Sequence, residues 1–180
     1  YTSDGSGEGN VSAAGSFDIG KGYAMASVSG GTGLLAFTGT ISTSNETQAI
    51  TDNDALNSGA GRIWNLVANP YPSYLNVNTN ADGSNNILTV NGTGNLHDTY
   101  VAVYGYDADG AGTEYTIYNQ SSSATYLAPG QGFFVASDDT GGTTISFTEA
   151  MQTTTGSDDF ISGDTMDDVF EVLLRLYHGD

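Results

Sequence analysis

The sequence has little positive charge and no cysteine. Only Lys21, Arg62 and Arg175 are basic, against 21 acidic residues, and the formal net charge is −18. Such a charge repels phosphate backbones and anionic bilayers, which excludes nucleic acid as a ligand. Without cysteine there are no disulfides, no thiolate nucleophile and no cysteine-ligated zinc, and the redox compartment is left undetermined.

Long apolar runs are also missing. No stretch approaches the roughly 18 apolar residues of a membrane helix, so we expect no membrane span. The chain opens with Tyr1 and has no signal-peptide pattern, which we interpret as a mature protein or an excised piece. Because an excess of carboxylates suits saline and calcium-rich surroundings, we expect an extracellular or cell-surface location.

Turn-forming and strand-forming residues are abundant instead. The 180 residues include 25 Gly, 11 Tyr and 7 Phe, a composition that favours short strands joined by tight turns. Residues 1–16 are rich in Gly, Ser and Asp and predict a linker-like or loosely ordered segment. Residues 17–180 predict an all-β fold, a single antiparallel β-sandwich that is jelly-roll-like. Whether residues beyond Asp180 complete the sandwich is left open.

Apolar runs between turn signals predict the individual strands. The predicted strands are 22–28, 34–41, 63–68, 87–90, 100–106, 113–118, 132–136, 143–147 and 169–177. The last of these also fits a helical stripe, but alternation favours a strand. An acidic loop is expected over 151–168. Trp64, Leu66 and Ala68 fall on one side of their strand, and we expect Trp64 to lie in the core.

Three motifs occur in a fixed order: WNLVANPYPS at 64–73, APGQGFFVA at 128–136 and FTEAMQTTTGSDDF at 147–160. With GKGY at 20–23 and FTGT at 37–40, they resemble a region of large secreted Bacteroidetes proteins that precedes the sorting tail of type IX secretion. The resemblance implies a β-sandwich module at the cell surface or in the medium, next to adhesin, protease or polysaccharide-degrading domains. It implies no activity, and no sorting tail is present here.

The motifs also have a direct physical interpretation. Two prolines in Asn69-Pro70-Tyr71-Pro72 fix φ and predict a rigid corner after the Trp64 strand. The Tyr71–Pro72 bond is open to either isomer. Pro129-Gly130 predicts a type II turn with Gly130 at positive φ.

Acidic and amide side chains at alternate positions indicate a calcium loop. Asn78, Asn80 and Asp82 precede Gly83, although the glutamate expected at the twelfth position is replaced by Thr89. Asp107 and Asp109 form a shorter candidate. A third cluster comprises Asp158, Asp159, Asp164, Asp167 and Asp168. The alternative is that these loops are simply good turns. Bound Ca²⁺ is the only cofactor that the sequence suggests.

Tyrosines on one side of a strand suggest a sugar-binding platform, because aromatic faces stack on pyranose rings. If Val101 and Val103 face the core, the other side of the strand carries Tyr100, Tyr104 and Tyr106. Tyr115 or Tyr118 on the next strand would extend it. The alternative is that these tyrosines cover the sheet or fill the space between sheets.

The sequence does not favour an enzyme. His97 and His178 have no nucleophile elbow nearby, and with 21 acids a carboxylate pair has no diagnostic value. We therefore expect a non-catalytic binding or adhesion module for polysaccharide or other surface components, within a chain of several domains. The alternatives are a structural spacer or assembly module and, more distantly, a carbohydrate-active enzyme.

Overall fold

The computed structural model describes residues 16–23, 39–52, 63–92, 94–106, 115–138 and 143–156. Within these segments the regular secondary structure is almost entirely β-strand, joined by turns and loops. The strands are β1 Glu46–Ile50, β2 Trp64–Ala68, β3 Tyr74–Asn76, β4 Val103–Tyr106, β5 Tyr115–Tyr118, β6 Tyr126–Leu127, β7 Gly132–Ala136, β8 Thr143–Phe147 and β9 Gln152–Thr153. A short helix α1, Ile87–Asn91, and a 3₁₀ turn, Glu149–Met151, complete the described elements.

The described strands form three antiparallel sheets. The largest has the order β2-β7-β4-β5, a second pairs β1 with β8, and a third has the order β6-β3-β9. All three contribute buried residues to one hydrophobic cluster, including Ile50, Leu75 and Phe133. The predicted all-β, antiparallel class is confirmed. A jelly-roll connectivity is still a prediction.

Alternation along the strands decides which side chains enter the core. Phe133 and Val135 on β7 are 1% and 0% exposed, whereas Phe134 between them is only half-buried. Val103 on β4 is fully buried, as expected for the valine face of that strand. Predicted strands 132–136 and 143–147 coincide with β7 and β8, and 63–68, 100–106 and 113–118 contain β2, β4 and β5.

The predicted strand 87–90 is wrong, because these residues begin helix α1. The Asn86 side chain caps the helix by accepting a hydrogen bond from the Thr89 N–H at 2.8 Å. Ile87, Leu88 and Asn91 then lie on one buried face. The asparagine cap and this helical spacing outweigh the strand propensity of the apolar residues.

Two other predicted strands are only partly within the described residues. Of strand 22–28, Gly22 donates its N–H to the Leu66 carbonyl at 3.1 Å, beside an isolated bridge between Lys21 and Val67. A Cβ on Gly22 would come within 2.5 Å of the Leu66 Cγ, so this close approach requires glycine. Of strand 34–41, residues 39–41 belong to no strand. Residues 169–177 and 157–168 lie outside the described residues.

The first two sequence motifs meet in space. The Asn69 amide group donates hydrogen bonds to the carbonyls of Ser73 and Ala128, at 2.8 and 2.9 Å. The Asn69 backbone N–H bonds to the Gln131 carbonyl at 3.0 Å. Gly130 has φ +70°, as the predicted type II turn requires, and the described segments contain no cis peptide bond. The proline corner and the glycine turn therefore form one joint at the end of β2 and β7.

Tyr71 attaches this joint to the two-stranded sheet. Its ring is 1% exposed, and its hydroxyl lies 2.9 Å from the Ser44 carbonyl and 2.8 Å from the Phe147 carbonyl. Burial raises the pKa of the Tyr71 hydroxyl above its ordinary value of 10.0. The fold therefore favours the neutral hydroxyl at this position.

Asparagine amides also join elements away from the corner. The buried Asn91 side chain donates to the carbonyls of Ile87 and Ser146 at 3.0 and 2.9 Å, and accepts from the Ser146 N–H at 2.7 Å. It thus continues the hydrogen-bond ladder of β8 and fastens α1 to that strand. Asn65 similarly exchanges two hydrogen bonds with the backbone of Thr51, at 3.0 and 2.9 Å.

We predict that Asn91→Asp destabilises the fold strongly. A carboxylate of the same shape cannot donate to Ile87 and Ser146, and it places a charge in the core. We expect a loss of about 3 kcal/mol or more in the free energy of unfolding, which lowers Tm by roughly 6 to 12 °C. Urea and thermal unfolding measure the change.

Asn45→Asp is the matched control for this substitution. Asn45 is exposed, and its Oδ1 accepts a hydrogen bond from the Glu149 N–H at 2.9 Å, which an aspartate can still accept. We expect its Tm to stay close to the wild-type value. An equal loss of Tm in the two variants would refute the conclusion that the Asn91 amide holds α1 to the backbone of β8.

We predict that Tyr71→Phe lowers the free energy of unfolding by about 1 to 2 kcal/mol, because a buried hydroxyl contact is lost. The raised pKa adds a signature at alkaline pH. The contribution of the Tyr71 hydroxyl to the free energy of unfolding is complete below pH 10. It is lost as the pH rises through the folded-state pKa of this hydroxyl. Unfolding measured from pH 8 upward should therefore show a steeper alkaline loss for the wild type than for the variant.

Candidate ligand-binding face

The outward face of the four-stranded sheet carries a row of large side chains. The register places Leu66 opposite Phe134, Phe134 opposite Tyr104, and Tyr104 opposite Ile117. Directly opposite residues point to the same face of a sheet. The residues that alternate with them are buried in the core: Val67, Val103, Phe133 and Val135. The row therefore faces away from the core.

At one end of the row, Trp64 packs against two tyrosines. Its ring centroid lies 4.7 Å from that of Tyr104, with the ring planes at 82°, and 5.6 Å from that of Tyr100. The His97 ring lies 5.1 Å from Tyr100. Trp64 is opposite Ala136 on the neighbouring strand, whose small side chain leaves room for these rings.

A second aromatic group occupies the other end. Tyr106 is opposite Tyr115, with ring centroids 5.6 Å apart, and Tyr115 lies edge-to-face on Phe134 at 5.8 Å. Edge-to-face pairs of this kind contribute about 0.5 to 1.5 kcal/mol each beyond their burial. The rings are therefore held in place by one another before any ligand is present.

We call this surface the aromatic band. It comprises Trp64, Leu66, Tyr100, Tyr104, Tyr106, Tyr115, Ile117 and Phe134. Its most exposed members are Trp64 at 38%, Tyr100 at 41%, Tyr106 at 43%, Tyr115 at 49% and Ile117 at 53%. A contiguous apolar surface of this kind is typical of an interaction site.

The structure brings four of the five predicted platform tyrosines together. Tyr100, Tyr104, Tyr106 and Tyr115 all belong to the aromatic band. Tyr118 does not, because it is opposite Val103 on the inner face and packs against the core.

Trp64 was expected in the core, and this prediction is wrong. The alternation of Trp64, Leu66 and Ala68 is real, but Val67 is the core residue of β2 and is 1% exposed. Since both faces of this sheet are apolar, periodicity alone does not select the inner face. The feature that accommodates the Trp64 ring on the outer face is the small residue opposite it, Ala136. Only the strand register reveals this pairing.

The aromatic band is uncharged over the described residues. Lys21 is the only lysine or arginine among them, and its amino group lies 3.4 Å from the Asp18 carboxylate and 5.6 Å from the centre of the Tyr23 ring. Burial, together with the nearby Tyr100, raises the pKa of the Tyr104 hydroxyl above 10.0. Tyr104 therefore presents a neutral hydroxyl at physiological pH.

The first half of the predicted calcium loop fastens two loops together. Asn78 is buried, and its amide donates to three carbonyls in the loop 119–123, at 2.8 to 3.2 Å. Its Oδ1 accepts from the Ala81 N–H at 3.2 Å. Asn80 donates to the Ser122 carbonyl at 2.7 Å. Hydrogen bonds within the protein thus account for the conformation of these two side chains.

Asp82 continues the same pattern. Its Oδ1 accepts hydrogen bonds from the backbone N–H groups of Asn85 and Ser84, at 2.8 and 2.9 Å, and these bonds lower the pKa of the carboxyl group. Asp107 and Asp109 lie outside the described residues. Among the described segments no group of three or more His, Cys, Asp or Glu side chains is placed to hold a metal ion. Calcium binding is still a prediction.

The described segments contain no helix that is both long and apolar enough to cross a membrane. Comparison with protein families matches residues 1–168 to a domain of unknown function, DUF8693. The chain belongs to the DUF8693 family. The DUF8693 match includes both the proline corner and the aromatic band, and it also includes residues 1–16. No curated protein and no solved structure matches the chain significantly.

The exposure of Trp64 gives a direct spectroscopic prediction. Trp64 is the only tryptophan of the sequence, so fluorescence reports on this position alone. We expect acrylamide to quench it efficiently in the folded protein, because 38% of the residue is exposed. The chain unfolded in urea supplies the upper limit for quenching. A folded protein that resists quenching would show that Trp64 is buried after all.

Proposed function

We propose that the chain is a non-catalytic, extracellular binding module and that the aromatic band binds polysaccharide. The observation that carries the proposal is the gathering of Trp64, Tyr100, Tyr106 and Tyr115 on one open sheet face. Aromatic rings stack on the apolar faces of pyranose rings, and phenol hydroxyls exchange hydrogen bonds with sugar hydroxyls. A rigid, exposed group of such rings supplies both interactions.

The chemistry of the band favours a hydrated ligand. Each tyrosine has an apolar ring with a polar tip, and the three most exposed tyrosines keep 41 to 49% of their surface in contact with water. A dry interface would bury that surface and require a partner for each hydroxyl. A sugar chain retains water and offers hydroxyl groups along its whole length.

The proposed extracellular setting is supported by composition and by the motifs. The net charge of −18 suits a saline exterior. The order of the three motifs resembles the region before the type IX sorting tail of secreted Bacteroidetes proteins. We therefore propose that the module lies beside other domains of a secreted or surface-attached chain and holds them near a polysaccharide.

A second candidate is a contact surface for a neighbouring domain or surface assembly. Ile117, with 53% of its surface exposed, and the half-buried Leu66 are aliphatic members of the band. Aliphatic side chains contribute to protein interfaces through burial of area. In this alternative the tyrosines would be covered by protein instead of sugar.

A polysaccharide pulldown and a glycan array test the proposal. We expect saturable binding by the wild type and a loss of about tenfold in affinity for Trp64→Ala or Tyr115→Ala, which corresponds to roughly 1.4 kcal/mol per stacking ring. Tyr126→Ala is the matched control, because Tyr126 is a half-buried tyrosine on β6 in a different sheet. Thermal melts establish that each variant is folded.

The outcomes separate the candidates. Absence of binding to every polysaccharide by a folded sample would reject the sugar-binding function and leave the domain-contact function. The same screen with EDTA tests the predicted calcium. A calcium site would be supported if polysaccharide binding or Tm falls on chelation and returns with added Ca²⁺. If neither changes, calcium contributes to neither binding nor stability.

A further inference from the structure

The rings of the aromatic band divide into two stacking positions. In an edge-to-face pair the two ring planes are nearly perpendicular, so only one ring can lie flat against a sugar. Trp64 and Tyr104 form such a pair at one end, with planes at 82°. Tyr115 and Phe134 form another at the opposite end, with planes at 85°. Each end therefore offers at most one flat stacking surface. Trp64 and Tyr115 are the more exposed rings of the two pairs, at 38% and 49%, and we assign the stacking positions to them.

The two positions lie at diagonally opposite corners of the sheet. Trp64 is on β2 and Tyr115 on β5, the first and last strands in the order β2-β7-β4-β5. Three strand spacings separate them across the sheet, which is about 14 Å. They are also displaced by four residues along the strands, about 13 Å. The Cα atoms of Trp64 and Tyr115 are therefore roughly 20 Å apart. The rings themselves are closer together, because Trp64 leans onto Tyr104 and Tyr115 leans onto Phe134. Even so, a ligand that stacks on both rings has to be longer than one sugar ring.

Charge restricts the ligand further. The whole chain has three basic residues and a net charge of −18. The band contains only aromatic and aliphatic side chains, and the one described cation, Lys21, is bonded to Asp18. A uronate or sulfate group brought to this surface would meet a negative field and, among the described residues, no counter-charge. An uncharged sugar loses nothing to this field.

We propose that the ligand of the aromatic band is an uncharged polysaccharide that is bound along its chain, across the diagonal from Trp64 to Tyr115, and not at its end. This inference rests on the proposed polysaccharide function and specifies its ligand class. Two modest stacking contacts on one chain act together, because the second contact becomes intramolecular once the first is made.

A ladder of oligosaccharides tests the binding mode. The ladder is prepared from the neutral polysaccharide retained in the screen, from the monosaccharide to the hexasaccharide, and titrated by calorimetry. We expect affinity to rise at least about tenfold between the disaccharide and the longest members. Trp64→Ala and Tyr115→Ala should each abolish most of this rise while Tyr126→Ala preserves it. A monosaccharide that binds as tightly as the hexasaccharide would overturn the proposal.

A chemically matched pair tests the charge. The same neutral polysaccharide is compared with its own carboxymethylated form, at low and at high ionic strength. We expect the carboxymethylated form to bind at least about tenfold more weakly at low salt, and salt to narrow the difference because it screens the repulsion. Equal or tighter binding of the charged form at low salt would overturn the inference. Either failure leaves polysaccharide binding itself intact, whereas a chain that binds no sugar removes both proposals.

Discussion

Buried asparagine amides form the joints on which the described fold depends. An amide side chain carries donors and an acceptor like those of a peptide unit. It can therefore pair with backbone N–H and C=O groups that have no neighbouring strand to bond to. Asn69, Asn78 and Asn91 each link segments that are more than 40 residues apart in sequence. Because the chain has no cysteine, no disulfide can supply such links. The joint at Asn69 also fixes the ends of β2 and β7, the two strands that position Trp64 and Phe134.

The same arrangement explains why the four-stranded sheet can be apolar on both faces. Inner residues such as Val67 and Phe133 fill the core, while polar joints at the sheet ends satisfy the backbone without help from the outer face. The side chains on the outer face are therefore not needed to hold the sheet ends together by hydrogen bonds. Its rings contact one another, and their order across the sheet follows from the register of β2, β7, β4 and β5.

Sequence patterns predict the strongest strands well and the joints poorly. Strand β7 is a continuous apolar run, and in β8 the apolar Ile145 and Phe147 alternate with polar residues; both strands agree with their predicted bounds. Strand β1 escapes prediction because Ile50 is its only buried side chain. Helix α1 escapes because the cap at Asn86 matters more than the β-branched residues that follow. Tyr100, Tyr104 and Tyr106 are predictable from alternation, whereas the choice between Tyr115 and Tyr118 needs the register of β4 and β5. Trp64 is not predictable, since a sheet with two apolar faces gives the same period in either orientation.

The exposed aromatic surface has a consequence for how copies of this molecule behave toward one another. Uncovered rings on a sheet face would ordinarily drive self-association. Here every copy also carries a charge of −18, and like-charged molecules repel over about a Debye length. Mutual repulsion thus keeps the copies apart in solution, despite the exposed rings. The acidic composition therefore counteracts self-association through the aromatic face, and it does so most strongly at low ionic strength, where the repulsion is least screened.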